Sequence, residues 1–169
     1  MLAMDKSVSA DEAIRAYQYA NERYHQTHVY LENNISDLCR IDDPRVPELI
    51  VDALISENAL LRHAACSGLV FRKEAITHIG WEVEAMRYLP ILRQLLANGQ
   101  VRPALEGSMD ACGLAIAKVG GIEEIDTLLN ALGHSSADVR ASARAGLLML
   151  LNDDEAALRR LRRRADAFR

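Results

Sequence analysis

Two nearly identical nine-residue stretches lie 78 positions apart in this chain. Residues 61 to 69 read LRHAACSGL, and residues 139 to 147 read VRASARAGL. Each begins with an aliphatic residue followed by arginine, and such pairs recur at intervals of 40 and 38 residues: Leu61-Arg62, Val101-Arg102 and Val139-Arg140. Self-similarity at a period of about 40 residues is typical of stacked helical repeats. The pattern therefore predicts a core built from similar units placed side by side.

Apolar residues recur at helical spacing along the chain, and we find no alternating apolar and polar run bounded by turn signals. The fold class is therefore predicted to be all-α. Ser9 with Glu12 three positions later predicts a capped helix start. A second helix is predicted over 28–39, and 72–80 is predicted to be a loop with one helical turn.

Proline and glycine mark further helix boundaries. Pro47 is placed in the first turn of a helix, where its missing N–H costs little. Pro90 is predicted either to kink a helix over 82–97 or to mark its start. Asn98-Gly99 and Gly120-Gly121 are predicted to end helices, so that 100–119 forms one helix between them.

A two-helix unit of this period, whose second helix opens with a Val-Arg-like pair and continues in small residues, resembles the HEAT and armadillo-like family. The resemblance is closest at Asp138 to Leu147, follows at 61–69, and covers about 43–151. The middle copy departs from the pattern at Pro103 and Leu105. The resemblance implies a right-handed α-α superhelix, a solenoid of about three helical hairpins.

We divide the chain as a single domain, 1–169, with caps that cover the ends of an open stack. The predicted parts are an N-terminal helical cap (1–41), three repeats (43–72, 82–119 and 122–151) and a basic C-terminal helix (153–169) that Asp153 and Asp154 would cap. Small residues on the second helix of a repeat, such as Gly146, are predicted to let neighbouring helices approach closely.

Composition limits the classes of function. The formal charge is −4, but six arginines against four acids give 153–169 a net +2, so the preceding residues carry −6. An acidic body argues against wrapping nucleic acid, whose phosphates call for clustered Lys and Arg. No apolar run approaches the roughly 20 residues that span a bilayer, and the N-terminal sequence does not read as a secretory signal. We therefore expect a cytoplasmic protein.

Cysteine and histidine patterns give little sign of metal or redox chemistry. Cys39, Cys66 and Cys112 form no CxxC pair, so they are predicted to be buried thiols. His25, His28 and Glu32 have spacing that would suit a metal on one continuous helix, but solvent-facing histidines are the favoured interpretation. Some HEAT-like proteins are di-iron hydroxylases with repeated His-Glu dipeptides, and this sequence contains no such dipeptide.

Motifs of nucleophilic catalysis or phosphate binding are also missing from the sequence, which has no Gly-x-Ser-x-Gly elbow and no Walker loop. The chain is therefore predicted not to be an enzyme and to use no cofactor. The recurring Arg62, Arg102 and Arg140 allow two interpretations. They are either an anion-binding ladder or, as the family resemblance implies and we favour, structural residues bonded to an acid or a carbonyl.

The candidate binding residues lie on the second helices and in the segment before residue 82. Trp81 is interpreted either as an exposed anchor for a partner or as a cover over the gap between repeats. Glu106 and Asp110, with Glu74, Glu82 and Glu84, are interpreted either as an acidic patch suited to a basic partner or as a solvated face. The full predicted partner-binding set is Arg62, His63, Trp81, Glu82, Glu84, Arg102, Glu106, Asp110, Arg140 and Arg144.

The favoured hypothesis is a bacterial-type adaptor or inhibitor that holds another protein in the concave face of the stack. A narrower version is an immunity-like protein that neutralises a toxin. Two alternatives remain: a HEAT-like lyase acting on a protein-bound cofactor, and a nucleic-acid binder that uses the Arg-rich C-terminal helix. Four tyrosines lie near the N-terminus. Tyr17 and Tyr24 share a helix face and are predicted to pack inward, whereas Tyr19 and Tyr30 are predicted to be freer to make contacts.

Overall fold

The fold is all-α, as the sequence predicts. A computed structural model describes residues 9–23, 28–75, 80–101, 111–153 and 159, and these residues contain no β-strand. They form eight α-helices and one short 3-10 helix, Gly121–Glu124, that precedes the seventh. The α-helices are α1 (Ala10–Arg23), α2 (His28–Cys39), α3 (Val46–Ile55), α4 (Ala59–Ala75), α5 (Trp81–Ala97), α6 (Ala111–Gly120), α7 (Ile125–Ala131) and α8 (Ala137–Asp153).

Local capping interactions set several helix boundaries. The Ser9 hydroxyl accepts a hydrogen bond from the Glu12 N–H at 3.3 Å, and the Glu12 carboxylate accepts one from the Ser9 N–H at 3.1 Å. This reciprocal pair is the predicted capping box, and it satisfies backbone donors that the first turn of α1 leaves free. Gly99 follows α5 with φ +68°, a left-handed conformation that favours glycine and ends the helix.

Three predicted boundaries are wrong. Helix α4 continues to Ala75, so 72–75 is helical rather than a loop. The helix predicted over 82–97 is present as α5, Trp81–Ala97; it contains Pro90, which excludes the alternative that Pro90 marks its start. Asp153 is the last residue of α8 rather than the cap of a following helix. The helix predicted over 100–119 does not start at Gln100, because Gln100 and Val101 are not helical, and the described part of that helix runs from Ala111 to Gly120. The C-terminal helix lies outside the described residues apart from Arg159.

The helices contact one another in two series. The even-numbered helices pack in chain order, α2 on α4, α4 on α6 and α6 on α8, and α3 packs on α5, which contacts α7. Consecutive helices also pair, as α1 with α2, α3 with α4, α5 with α6 and α7 with α8. One cluster of buried apolar side chains runs from Ile14 on α1 to Leu150 on α8. The hairpins therefore share a continuous core.

Glycine allows close packing within the even-numbered series. A Cβ atom on Gly68 would lie 2.5 Å from Cys39 Sγ and 2.9 Å from Ile35 Cγ2, both on α2. A Cβ on Gly146 would overlap the carbonyl of Gly113 on α6. The prediction that small residues permit close helix approach is therefore confirmed at both copies of the motif.

The predicted orientations of the cysteines and of two tyrosines are also confirmed. Cys39, Cys66 and Cys112 are free and buried. Tyr17 is buried on α1, and burial raises the pKa of its hydroxyl to about 12. Tyr19 on the same helix is 49% exposed. Tyr24 lies outside the described residues, and the side chain of Tyr30 is not among those described.

Candidate functional site

Arg62 and Arg140 make the same contacts in two copies of the repeat. Arg62 Nη1 donates hydrogen bonds to the carbonyls of Ser56 at 2.7 Å and Glu57 at 2.8 Å. Arg140 Nη1 donates to the carbonyls of His134 at 2.7 Å and Ser135 at 2.6 Å. Each arginine thus bridges the turn that precedes its own helix. We call this pair of bonds the arginine clasp.

The clasp favours the structural interpretation of these arginines over an anion-binding ladder. The acceptors are carbonyl groups of the preceding turn, whereas the carboxylates of Glu57 and Asp138 make no bond to the two guanidinium groups. A hydrogen bond from a charged donor to a carbonyl is stronger than one between two neutral groups. Each clasp therefore holds a turn against the start of its helix. Arg102 lies outside the described residues.

Three residues predicted to bind a partner are instead buried. His63 is 7% exposed, Glu84 is 8% exposed, and Trp81 is 9% exposed. Trp81 is therefore not an exposed anchor, because its side chain belongs to the core cluster at the start of α5. The His63 side chain faces a narrow space between α4 and α6 that Cys66 and Cys112 also line.

Glu84 is removed from the predicted acidic patch by a buried ion pair. Arg72, which has no exposed surface, donates from Nε to Glu84 at 2.8 Å and from Nη2 at 3.1 Å. Its Nη1 donates to the carbonyl of Cys39, the last residue of α2, and to the carbonyl of Ile41 just after the helix. The Tyr88 hydroxyl also donates to Glu84 at 3.1 Å. This cluster ties the end of α2 to α4 and α5.

Burial and charge shift the pKa values within this cluster. Burial raises the pKa of the Cys39 thiol to about 12, even though Arg72 opposes the rise. Burial likewise raises the pKa of the Tyr88 hydroxyl. The pKa of Arg72 is raised although burial acts to lower it, because the bonds to Glu84 favour its charged form. The cluster therefore holds a paired cation and anion beside two neutral groups.

A second ion pair joins α5 to the segment before α7. Arg93 donates from Nε and Nη2 to the two oxygens of Glu124, with a distance of 2.9 Å for the Nε bond. The Thr127 hydroxyl donates to the same carboxylate at 3.0 Å. Burial acts to raise the pKa of Glu124, but the bonds from Arg93 and Thr127 outweigh it and lower the pKa. Sequence reasoning identified neither ion pair.

Two positions that are buried on α4 are exposed at the equivalent places on α8. Cys66 is 3% exposed, whereas Arg144 at the equivalent position of α8 is exposed. His63 is buried, whereas its counterpart Ala141 is exposed. Leu148, one turn beyond Arg144, is 54% exposed. Among the described residues, Ala141, Arg144, Leu148 and Asn152 form an exposed stripe at helical spacing, which we call the α8 stripe.

The remaining predicted acids are only partly described. Glu82 is exposed in the first turn of α5. Glu106 and Asp110 lie outside the described residues. Because Glu84 is paired in the core, the described part of the chain brings no two of these acids together on the surface.

A groove opens between the turn before α4 and the second half of α5. Its cavity volume is about 370 Å³, and it is lined by Leu54, Ile55, Ser56, Glu57, Arg62, Ile91, Gln94, Leu95 and Gln100. We call it the Arg62 groove. Among the described residues, no group accepts a hydrogen bond from Arg62 Nε, which is buried.

The described residues contain no group of three or more His, Cys, Asp or Glu side chains placed to hold a metal ion. His25 lies outside the described residues, and the side chains of His28 and Glu32 are not among those described, so the predicted metal interpretation is not tested there. In the described part of the chain, no helix has the length and apolarity needed to cross a membrane.

Comparison with protein-family models finds no match to this chain, and neither a curated protein nor a solved structure matches it. The HEAT and armadillo-like resemblance therefore rests on the repeat pattern of the sequence.

Proposed function

We propose that this chain is a HEAT-like α-α stack that acts as a protein-binding module. Three observations support the architecture: the serial packing of the even-numbered helices, the parallel series α3, α5 and α7, and the arginine clasp repeated at Arg62 and Arg140. A stack of this kind presents its second helices, α4, α6 and α8, on one side. In the HEAT-like interpretation, that side is the concave face that binds a partner.

The observation that carries the proposed function is the difference between α4 and α8 at equivalent positions. Cys66 is covered by neighbouring helices, whereas Arg144 is exposed beside Leu148, which is 54% exposed. An exposed apolar side chain next to an arginine combines two residue properties common at protein interfaces. Because the equivalent positions of α4 face α6, the α8 stripe lies on the side of α8 turned away from α6, and not on the side that the second helices share. This stripe is the proposed contact surface, and Arg144 is its central cation.

The charge of this surface changes the partner that we expect. The basic partner suggested by the sequence depended on an acidic patch that included Glu84, and that residue is paired with Arg72 in the core. A cation beside an apolar residue instead favours a partner that presents a carboxylate next to an apolar side chain. An inhibitor or immunity-like protein that covers the active site of a toxin is one form of this proposal.

Affinity purification with matched surface variants tests the proposal. We expect one polypeptide to co-purify stoichiometrically with the wild-type chain, and we expect Leu148→Asp and Arg144→Glu to release it. Met86→Asp is the matched control, because Met86 is 66% exposed on α5, outside the second helices. Calorimetry with the purified partner should then show that the wild-type chain and Met86→Asp bind it more tightly than Leu148→Asp and Arg144→Glu do.

Two results would count against the proposal. One is the loss of the partner in Met86→Asp as well as in the α8 variants. The other is full binding of the purified partner by Leu148→Asp and Arg144→Glu. If the partner is an enzyme, a stoichiometric loss of its activity on binding would identify the chain as an inhibitor.

A further inference from the structure

Helix α5 carries a line of apolar residues on its outer face. Val83, Met86, Pro90 and Ala97 are exposed, and the exposed fractions of Val83 and Met86 are 58% and 66%. Their spacings of three, four and seven residues place these four side chains on one face of a helix. The line extends for about 21 Å at 1.5 Å per residue. We call it the α5 stripe.

Two ion pairs define the direction in which the stripe faces. Arg87 pairs with Glu48 on α3, with 3.4 Å between the closest atoms, and Arg93 pairs with Glu124 just before α7. The two arginines lie about 120° apart around the helix, and Pro90 lies midway between them. Because α3 and α7 contact α5 on its two flanks, the stripe faces away from both. The α5 stripe therefore lies outside the contacts by which α5 joins the stack.

One edge of the stripe, on the side of α7, carries an anion at one end and a cation at the other. Glu82 is exposed and forms no ion pair with a described residue. Arg93 lies three turns further along, about 20° from Glu82 around the helix and about 16 Å from it along the axis. Its bonds to Glu124 use Nε and Nη2, so that Nη1 has no acceptor among the described residues, and its side chain is 48% exposed. This edge can therefore form ion pairs with an edge of opposite polarity.

A second copy of α5, running antiparallel, supplies such an edge. In a twofold-symmetric dimer, residue i of one copy contacts residue j of the other, and j contacts i. An axis near residue 88 places Glu82 opposite Arg93 of the second copy and Met86 opposite Pro90 of the second copy. Two ion pairs and two apolar contacts then form in the same register. We infer that the α5 stripe is the interface of a symmetric dimer of this chain in which the two α5 helices pack antiparallel.

The other edge of the stripe, on the side of α3, is compatible with this register. The two copies of Arg87 come close to the axis, but each is accompanied by its own Glu48, so the charges on this edge balance. The dimer leaves the α8 stripe uncovered, because that surface lies on the other series of helices. It therefore stands or falls independently of the proposed function, and a monomeric variant still presents the α8 stripe to a partner.

Sedimentation equilibrium of the full chain tests the dimer, and we expect a reversible equilibrium between monomer and dimer. Met86→Asp places a carboxylate against Pro90 of the second copy twice in each dimer. It is expected to raise the dissociation constant more than about thirtyfold. Leu148→Asp is the matched control, because it makes the same kind of change at a residue that is 54% exposed on α8. It is expected to leave the dissociation constant unchanged within about twofold.

Glu82→Gln tests the two ion pairs. Removing both pairs is expected to raise the dissociation constant roughly two- to tenfold. The difference from the wild type should shrink as the salt concentration rises, because salt screens exposed charges. Glu22→Gln, at an exposed position on α1, is the control for a loss of negative charge.

Cross-linking with a short bismaleimide tests the register. In the antiparallel dimer, the two copies of residue 87 lie within about 3 Å of each other along the helix axes, whereas the two copies of residue 97 lie about 27 Å apart. Arg87→Cys is therefore expected to form a cross-linked dimer, and Ala97→Cys is expected to form none. The native cysteines are buried, and the wild-type chain measures any background reaction from them.

Several results would overturn the inference. A wild-type chain that sediments as a monomer up to about 0.5 mM has no such dimer, and this result does not depend on whether any variant folds. A dimer that survives Met86→Asp would place the interface elsewhere. Equal dissociation constants for Glu82→Gln and the wild type at every salt concentration would exclude the ion pairs. Equal cross-linking at residues 87 and 97 would exclude the antiparallel register.

Discussion

Gly146 on α8 lies against the backbone carbonyl of Gly113 on α6, so that a Cβ atom at position 146 would overlap that carbonyl. Gly113 faces Ser142 in return, and its N–H donates to the Ser142 hydroxyl at 2.9 Å. The two helices meet backbone to backbone at this point. The small residues of the repeated motif are therefore a requirement of packing.

This contact predicts a large difference between two glycine substitutions. Gly146→Leu must separate α6 from α8, and we expect it to lower the free energy of unfolding by more than about 2 kcal/mol. Gly133→Leu is the control, because a Cβ there would meet only Asn130 O, at 3.5 Å. We expect it to change stability by less than about 0.5 kcal/mol. Thermal and urea unfolding measure both, and equal losses would refute the packing argument.

The buried ion pair predicts that Arg72→Leu is more harmful alone than in combination. The single substitution leaves Glu84 charged and without its cation in the core, and we expect a loss of about 3–5 kcal/mol. Arg72→Leu with Glu84→Gln removes the unpaired charge, while the amide oxygen still accepts the Tyr88 hydroxyl. We expect the double variant to recover most of the loss in urea unfolding at neutral pH.

A control for this cycle is the exposed pair of Arg87 and Glu48, whose closest atoms lie 3.4 Å apart. Exposed ion pairs contribute little, so Arg87→Leu is expected to leave the unfolding midpoint nearly unchanged. If the single and double core variants prove equally unstable, an unpaired charge is not the cause of the loss.

The Arg93 and Glu124 pair predicts a specific dependence of stability on pH. The folded-state pKa of Glu124 lies below its ordinary value, so this carboxylate stabilises the fold fully above about pH 4.3. Its contribution is lost as the pH falls from there through the lowered folded-state pKa. The Glu124→Gln variant has no carboxyl group to titrate at this position, and it cannot form the ion pair with Arg93.

We therefore expect Glu124→Gln to be less stable than the wild type at pH 7 and the gap to narrow as the pH falls below about 4.3. Unfolding by urea across a series of pH values measures the gap. Glu22→Gln, at an exposed position on α1, serves as the control for a general loss of negative charge. A gap that stays constant down to strongly acidic pH would contradict the assignment.

Features set by neighbouring residues in the chain could be predicted from the sequence. The capping box of Ser9 and Glu12 and the end of α5 at Gly99 depend on a few consecutive residues, and the structure confirms both. The close approach at Gly146 was also predictable, since the repeated motif showed where bulk was missing. Burial of Glu84 was not predicted, and only one of the two interpretations of Trp81 allowed for its burial, because both depend on how α4 and α5 pack.

Arg72 could have been found from the repeat register. It occupies the position that Leu150 holds in α8, and both are buried, so an arginine on the apolar face of α4 signalled a buried partner. The partner itself could not be named, because several acids lie within reach along the chain. The same limit applies to the Arg62 groove, which forms only where the turn before α4 meets α5.

The arginine clasp begins and ends within a single hairpin, since each arginine bonds only to the turn just before its own helix. A gene duplication that copies one hairpin would therefore copy the turn together with the arginine that stabilises it, whichever helices then pack beside it. Residues outside the clasp can then differ between copies, as Cys66 and Arg144 do. Such a scaffold can gain length and acquire new surfaces while each turn keeps the bonds that stabilise it.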